Sequence, residues 1–238
     1  METIDISYHL GMADGRDERF DIRLHPHTLL PVDPYTGALP EWTRLEWKQC
    51  PNCPLNPEDQ PHCPLAVRLL PVVSRLGGVR SYQELALEVS IEHRTFTAVT
   101  SAQEGISSLV GLLTATSGCP HTAFLKPMAR FHLPLASSDE TLYRIVSMYA
   151  LSGFLRMRRG QRIDSSFDEL FHRFQSMRVV NRAMAERLKV ADEEGSTVNG
   201  IILLDYTAQL LPVSLNEEID QLERLFHGYL EHPGPRSH

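Results

Sequence analysis

"ELALEVSIEHRTFTAVTSAQEGISSLVGLLTATS", residues 84–117, decides the fold, because the spacing of its apolar side chains changes partway along. Leu85, Leu87, Val89 and Ile91 recur at every second residue, the pattern of a strand with one buried face. After Thr100 the period becomes 3.6, and Ser101 followed by Glu104 has the form of a capping box that opens a helix. Gly118 is placed to stop that helix just ahead of Cys119. A β-containing front thus passes directly into a helical back.

Upstream, "IDISYHL" (4–10) and "RFDIRL" (19–24) alternate apolar and polar residues around Asp14-Gly15, and they read as an antiparallel hairpin sharing one small sheet with residues 84–99. Prolines at 26, 31, 34 and 40 make the next stretch an irregular connection. "AVRLLPVVSRL" (66–76) reads as a short helix ended by Gly77-Gly78. Downstream, "SSDE" (137–140) caps a helix with a basic end, and residues 165–194 repeat the design with Phe167, Leu170, Phe171, Phe174, Met177, Met184 and Leu188 on one stripe. Helical segments over 197–211 and 215–230 flank Pro212. The expected class is α+β, a small antiparallel sheet and a cysteine-rich loop packed on a C-terminal α-helical bundle. The chain divides as a single domain, 1–238, with a front (1–100, cysteine loop 50–64), a bundle (101–231) and a tail (232–238).

Composition narrows the function. With 238 residues, 42% of them hydrophobic, the chain can build a core without covalent staples. The opening residues lack a basic then apolar leader pattern, and no run of about 18 apolar residues occurs, so a soluble cytoplasmic protein off the membrane is expected. A net charge of −7 does not favour a nucleic-acid partner. No Gly-rich phosphate loop, Gly-x-Ser-x-Gly elbow or His-Glu-x-x-His motif is present.

The four cysteines carry the strongest signal. Three lie in "CPNCPLNPEDQPHCPL" (50–65), the fourth is Cys119 in "SGCPHTAF", and each precedes proline. With 16 prolines in 238 residues, four such pairs arise by composition alone roughly once in 50,000. Ordinary buried cysteines in a proline-rich loop would explain Cys119 by itself, but not the set. In a reducing cytoplasm such a group points to metal binding or redox work. Cys50 and Cys53 have the Cys-x-x-Cys spacing that puts two sulfurs on one turn, and proline fixes the backbone beside each sulfur before a metal arrives. A shared centre of Cys50, Cys53, Cys63 and Cys119 is expected, with zinc preferred over a [4Fe-4S] cluster. His62 and His121 flank proposed ligands, and each either replaces a cysteine or bonds a sulfur from behind. Lys126, Arg130 and His132 follow Cys119 closely and are the nearest acid–base groups by sequence if the site is catalytic. The arginines at 156, 158, 159 and 162 read as a solvated helix end more than as an anion site.

"CPNCPLNPEDQPHCPLA" and "SGCPHTAFLKPMARFHLPLAS" resemble the corresponding stretches of a family of uncharacterised bacterial proteins of similar length, chiefly over residues 42–140. The resemblance implies a bacterial cytoplasmic origin and that the cysteine segments belong together; it carries no catalytic residue. Two function classes follow. One is a structural or interaction module held by its metal, whose bundle meets a protein partner. The other is a metal- or thiol-dependent enzyme or redox sensor with an exchangeable ligand, His121 or Cys119. Four thiolates without a separate acid–base pair favour the first.

Overall fold

Ile4, Ile6, Tyr8, Leu10 and Met12 alternate along β1 (Ile4–Met12), and all five are buried. The chain turns at Gly15, whose φ of +88° suits glycine, with Gly15 N–H donating to Met12 O at 3.0 Å and Met12 N–H to Arg16 O at 2.9 Å. It returns as β2 (Asp17–Leu24), which sends Phe20, Ile22 and Leu24 to the same face. β3 (Glu84–Ile91) pairs with the other side of β1, and β4 (Arg94–Ser101) pairs with β3. All pairings are antiparallel, in the order β2-β1-β3-β4. The computed structural model describes residues 2–76, 78–163, 166–189 and 222–231, together with positions 198, 201 and 205. The expected segment over 197–211, the first part of that over 215–230, the tail and the Gly77 half of the helix stop therefore lie largely outside the described residues; residues 222–230 are helical in short pieces and mostly exposed.

The stretch read as one strand over 84–99 is in fact two. Glu92 takes a φ of +51° and reverses the chain with His93, a turn without the glycine or asparagine that usually marks one. β4 lies at the sheet edge and buries none of its residues fully, with Val99 70% exposed, so its alternation is weak.

One face of the sheet is covered by α1 (Pro64–Leu76) and α2 (Ala102–Ala115), which share its core. The capping box is present as expected: the Ser101 side chain accepts from Glu104 N–H at 3.2 Å, and the Glu104 carboxylate accepts from the Ser101 backbone. Gly105 lets α2 lie close over β3, since a Cβ there would stand 3.3 Å from Leu85 Cδ1. Each buried Leu or Ile of this core contributes about 2 kcal/mol relative to exposure. The chain then forms the short α3 (Lys126–Arg130), α4 (Ser138–Arg158), opened by a second capping box of Ser137 and Glu140, and α5 (Asp168–Leu188). Leu142 and Ile145 of α4 pack on Leu170, Phe174 and Met177 of α5. Met184 and Leu188 continue the α5 stripe into the sheet core. The molecule is α+β, as the periodicities require.

His132 does not stand with the cysteines. Its Nε2 accepts the Tyr8 O–H, Ser108 O–H donates to the same phenol oxygen at 2.8 Å, and Leu135 N–H donates to Ser108 Oγ at 3.3 Å. Burial, helped by the nearby Arg144 charge, drops the His132 pKa to about 3, and burial pushes the Tyr8 phenol up. The unfolded chain therefore takes up a proton near pH 6.5 that the native protein refuses until about pH 3. Stability from this group is complete above pH 6.5 and declines as pH falls toward 3, by about 5 kcal/mol in all. His132→Gln keeps an acceptor for Tyr8 but cannot titrate, so its stability relative to wild type should rise steadily between pH 6.5 and 4 in denaturant titrations; a pH-independent difference contradicts this. Arg130 also serves elsewhere, 3.3 Å from Glu92. Arg156 clamps Glu169 at 2.6 and 2.8 Å, while Arg158, Arg159 and Arg162 are exposed, in keeping with a solvated helix end.

Candidate metal centre

The Cys-Pro pairs build repeated units. Cys53 N–H donates to Cys50 O at 2.9 Å and Thr122 N–H to Cys119 O at 3.2 Å, so in each the proline occupies the second position of a tight turn. Cys63 uses the same order at a helix start: Pro64 is the first residue of α1, and Val67 N–H donates to Cys63 O at 3.0 Å. Proline removes the first N–H after the sulfur, and the later ones turn back toward it. Leu65 and Ala66 N–H groups face the Cys63 sulfur, and His121 and Thr122 N–H groups face that of Cys119. Both arrangements favour the thiolate.

Tertiary contacts bring these units together. Residues 43–45 run antiparallel to 61–63, with Cys63 N–H donating to Thr43 O at 2.8 Å and Leu45 N–H to Pro61 O at 2.8 Å. His121 Nε2–H donates to the carbonyl of Asn52, inside the Cys50–Cys53 turn, at 2.6 Å. Gly118, with φ of +92°, passes so near α1 that a Cβ there would stand 3.9 Å from Pro64 Cβ. The Cys119 turn is thus docked on the Cys50–Cys53 turn and on the start of α1. Cys63 and Cys119 are buried, Cys50 and Cys53 half-buried, and all four are free thiols. His62 Nδ1 is bonded to Thr43 Oγ1 at 2.8 Å.

Burial pushes the Cys50 thiol up to about 12, and the sulfurs of Cys63, Cys119 and Cys53 each add to the rise. Burial also raises Cys63 and Cys119. Thiolates so placed repel one another, and only a cation between them lets them ionise together at neutral pH. Among the described residues, no group of three or more His, Cys, Asp or Glu side chains forms a ready metal-binding cluster. The four sulfurs are electrostatic neighbours, not a closed coordination shell. Their soft donor chemistry and the N–H groups facing them fit zinc or an iron–sulfur cluster.

Periodicity did not point to Arg187. It stands in the last turn of α5, 2% exposed, with Nη1 donating to Trp42 O at 2.6 Å and Arg44 O at 2.5 Å and Nη2 to Leu45 O at 3.3 Å. Burial lowers its pKa, and the sulfurs of Cys63, Cys50 and Cys53 oppose that shift. The same helix face receives Asn52 Nδ2 on Ser176 O at 3.1 Å and Lys48 Nζ on Glu186 O at 2.8 Å. α5 therefore clamps residues 42–52, which lead into the cysteine loop, and sets a positive charge beside it. The only sequence signal was an arginine within an otherwise apolar stripe, which a solvated position explains equally well.

Fold and site together define an α+β protein in which the Cys119 turn docks on the Cys50–Cys53 turn, with Cys63 at the start of α1. The chain belongs to the family described as domain of unknown function DUF6901, whose family model matches residues 6–227. No curated protein and no solved structure matches it significantly. Among the described residues, no helix is long and apolar enough to cross a membrane.

Proposed function

We propose that Cys50, Cys53, Cys63 and Cys119 hold one metal centre, zinc in preference to a [4Fe-4S] cluster, in a cytoplasmic structural or interaction module. The observation that carries this reading is the docking of the Cys119 turn on the Cys50–Cys53 turn through His121 and Asn52. It supplies a reason for four Cys-Pro units in one chain. A bound metal would hold the front and the bundle at one point and supply the positive charge that two buried and two half-buried thiolates need. The C-terminal half of α4 leaves Leu151, Phe154, Leu155 and Met157 about half exposed, which suits a protein partner.

The second reading, an enzyme or redox sensor with an exchangeable ligand, draws on the half-exposed Cys50 and Cys53. Anaerobic purification without chelator is expected to yield about one zinc equivalent per chain and a colourless protein. A brown protein with broad visible absorption would replace zinc by the cluster. A fully folded, metal-free protein would remove the proposal.

A further inference from the structure

A cavity of about 620 Å³ opens between α2, α3, α4 and α5, and none of the four cysteines lines it. Ser108, Gly111 and Ala115 lie along one face of α2, and their small side chains leave the space. Leu112, Met128, Ile145, Phe174 and Met177 make its wall largely apolar. The volume is that of pockets which enclose small organic molecules.

Among the described residues, two polar side chains in this wall lack hydrogen-bond partners. Asn181 is 1% exposed, and neither its amide nitrogen nor its amide oxygen makes a hydrogen bond; Thr114 is 3% exposed, and its hydroxyl is likewise alone. Buried amides and hydroxyls are costly when unpaired, and leucine and valine would serve packing better at these positions. Several other polar groups at the cavity are engaged. Glu104 and Ser137 belong to capping boxes, His132 is held by Tyr8, and Arg144 donates to the carbonyls of Met128 and Phe131 at 2.9 and 2.8 Å.

We propose that this cavity binds a small, mostly apolar molecule whose polar edge places a hydrogen-bond donor beside an acceptor, as in a primary carboxamide or a lactam. The Asn181 amide is the complement of such an edge. Its N–H donates to the ligand carbonyl while its Oδ1 accepts the ligand N–H, and the Thr114 hydroxyl completes the remaining bond. A neutral edge matches two neutral residues, and the apolar body of the ligand fills the space left by the small face of α2.

The test uses the full chain, labelled with ¹⁵N, with benzamide and hexanamide as probes and ethylbenzene as the apolar control. At least one amide should bind saturably, shift the Asn181 side-chain amide resonance, and bind about tenfold more tightly than ethylbenzene. Asn181→Leu should abolish that preference while keeping ethylbenzene binding and unfolding at the same or a higher temperature. Thr114→Val should weaken amide binding several-fold. Failure of both amides to bind, equal amide affinity in wild type and Asn181→Leu, or a marked fall in the melting temperature of Asn181→Leu would each overturn the proposal. The last would mean that Asn181 is bonded within the protein itself. These readouts are independent of metal content.

Discussion

Cys63→Ser is expected to lower stability by at least about 3 kcal/mol in metal-replete protein and to leave chelated protein almost unchanged. The substitution separates two roles of one residue. Cys63 precedes Pro64 at the start of α1, and serine is among the best residues for capping a helix there, so the cap itself should not suffer. What serine cannot supply is a soft thiolate, and metal-binding free energy is coupled to folding. Thermal unfolding with and without chelator reads the difference directly. Cys53→Ser and Cys119→Ser extend it to the two function classes. A structural centre predicts equal, large losses for both, whereas a sensor with Cys119 as its exchangeable ligand predicts that Cys119→Ser stays nearly as stable as wild type. If all three variants melt with wild type under both conditions, the shared centre is wrong.

Arg187→Met should be comparably damaging for a different reason. Methionine matches much of the side-chain volume, but it abandons the carbonyls of Trp42, Arg44 and Leu45, which the guanidinium now satisfies. Arg44 O keeps the Trp47 N–H at 3.2 Å, so the carbonyls of Trp42 and Leu45 are the two left alone; at about 1–3 kcal/mol each before relaxation, a total of about 2–5 kcal/mol is expected. Arg187→Lys keeps the charge without the planar fork and should fall between the two. The electrostatic role has its own readout. If the buried cation offsets an anionic tetrathiolate, Arg187→Met should also surrender metal to a competing chelator more readily than Arg187→Lys does. Equal metal retention by the two variants would reduce Arg187 to a purely structural clamp.

The sequence by itself determined every feature whose cause lies within a few residues. The alternation of β1, β2 and β3, the turn at Gly15, both capping boxes and the α5 stripe are set by side-chain period and by caps that reach three residues along the chain. The Cys-Pro units belong here too, because a proline after cysteine shapes a turn or a helix start whatever the rest of the fold does. Only the tertiary structure decided that residues 84–99 divide at Glu92, since an edge strand has little burial to impose a pattern. It also decided what docks on the cysteine turns and clamps the segment before them. His121 reaches Asn52 across 69 residues and Arg187 reaches Trp42 across 145, contacts that no local periodicity encodes. The same limit hid the cavity, because an asparagine in a helical stripe reveals nothing about its partners until neighbouring helices surround it and leave it without one.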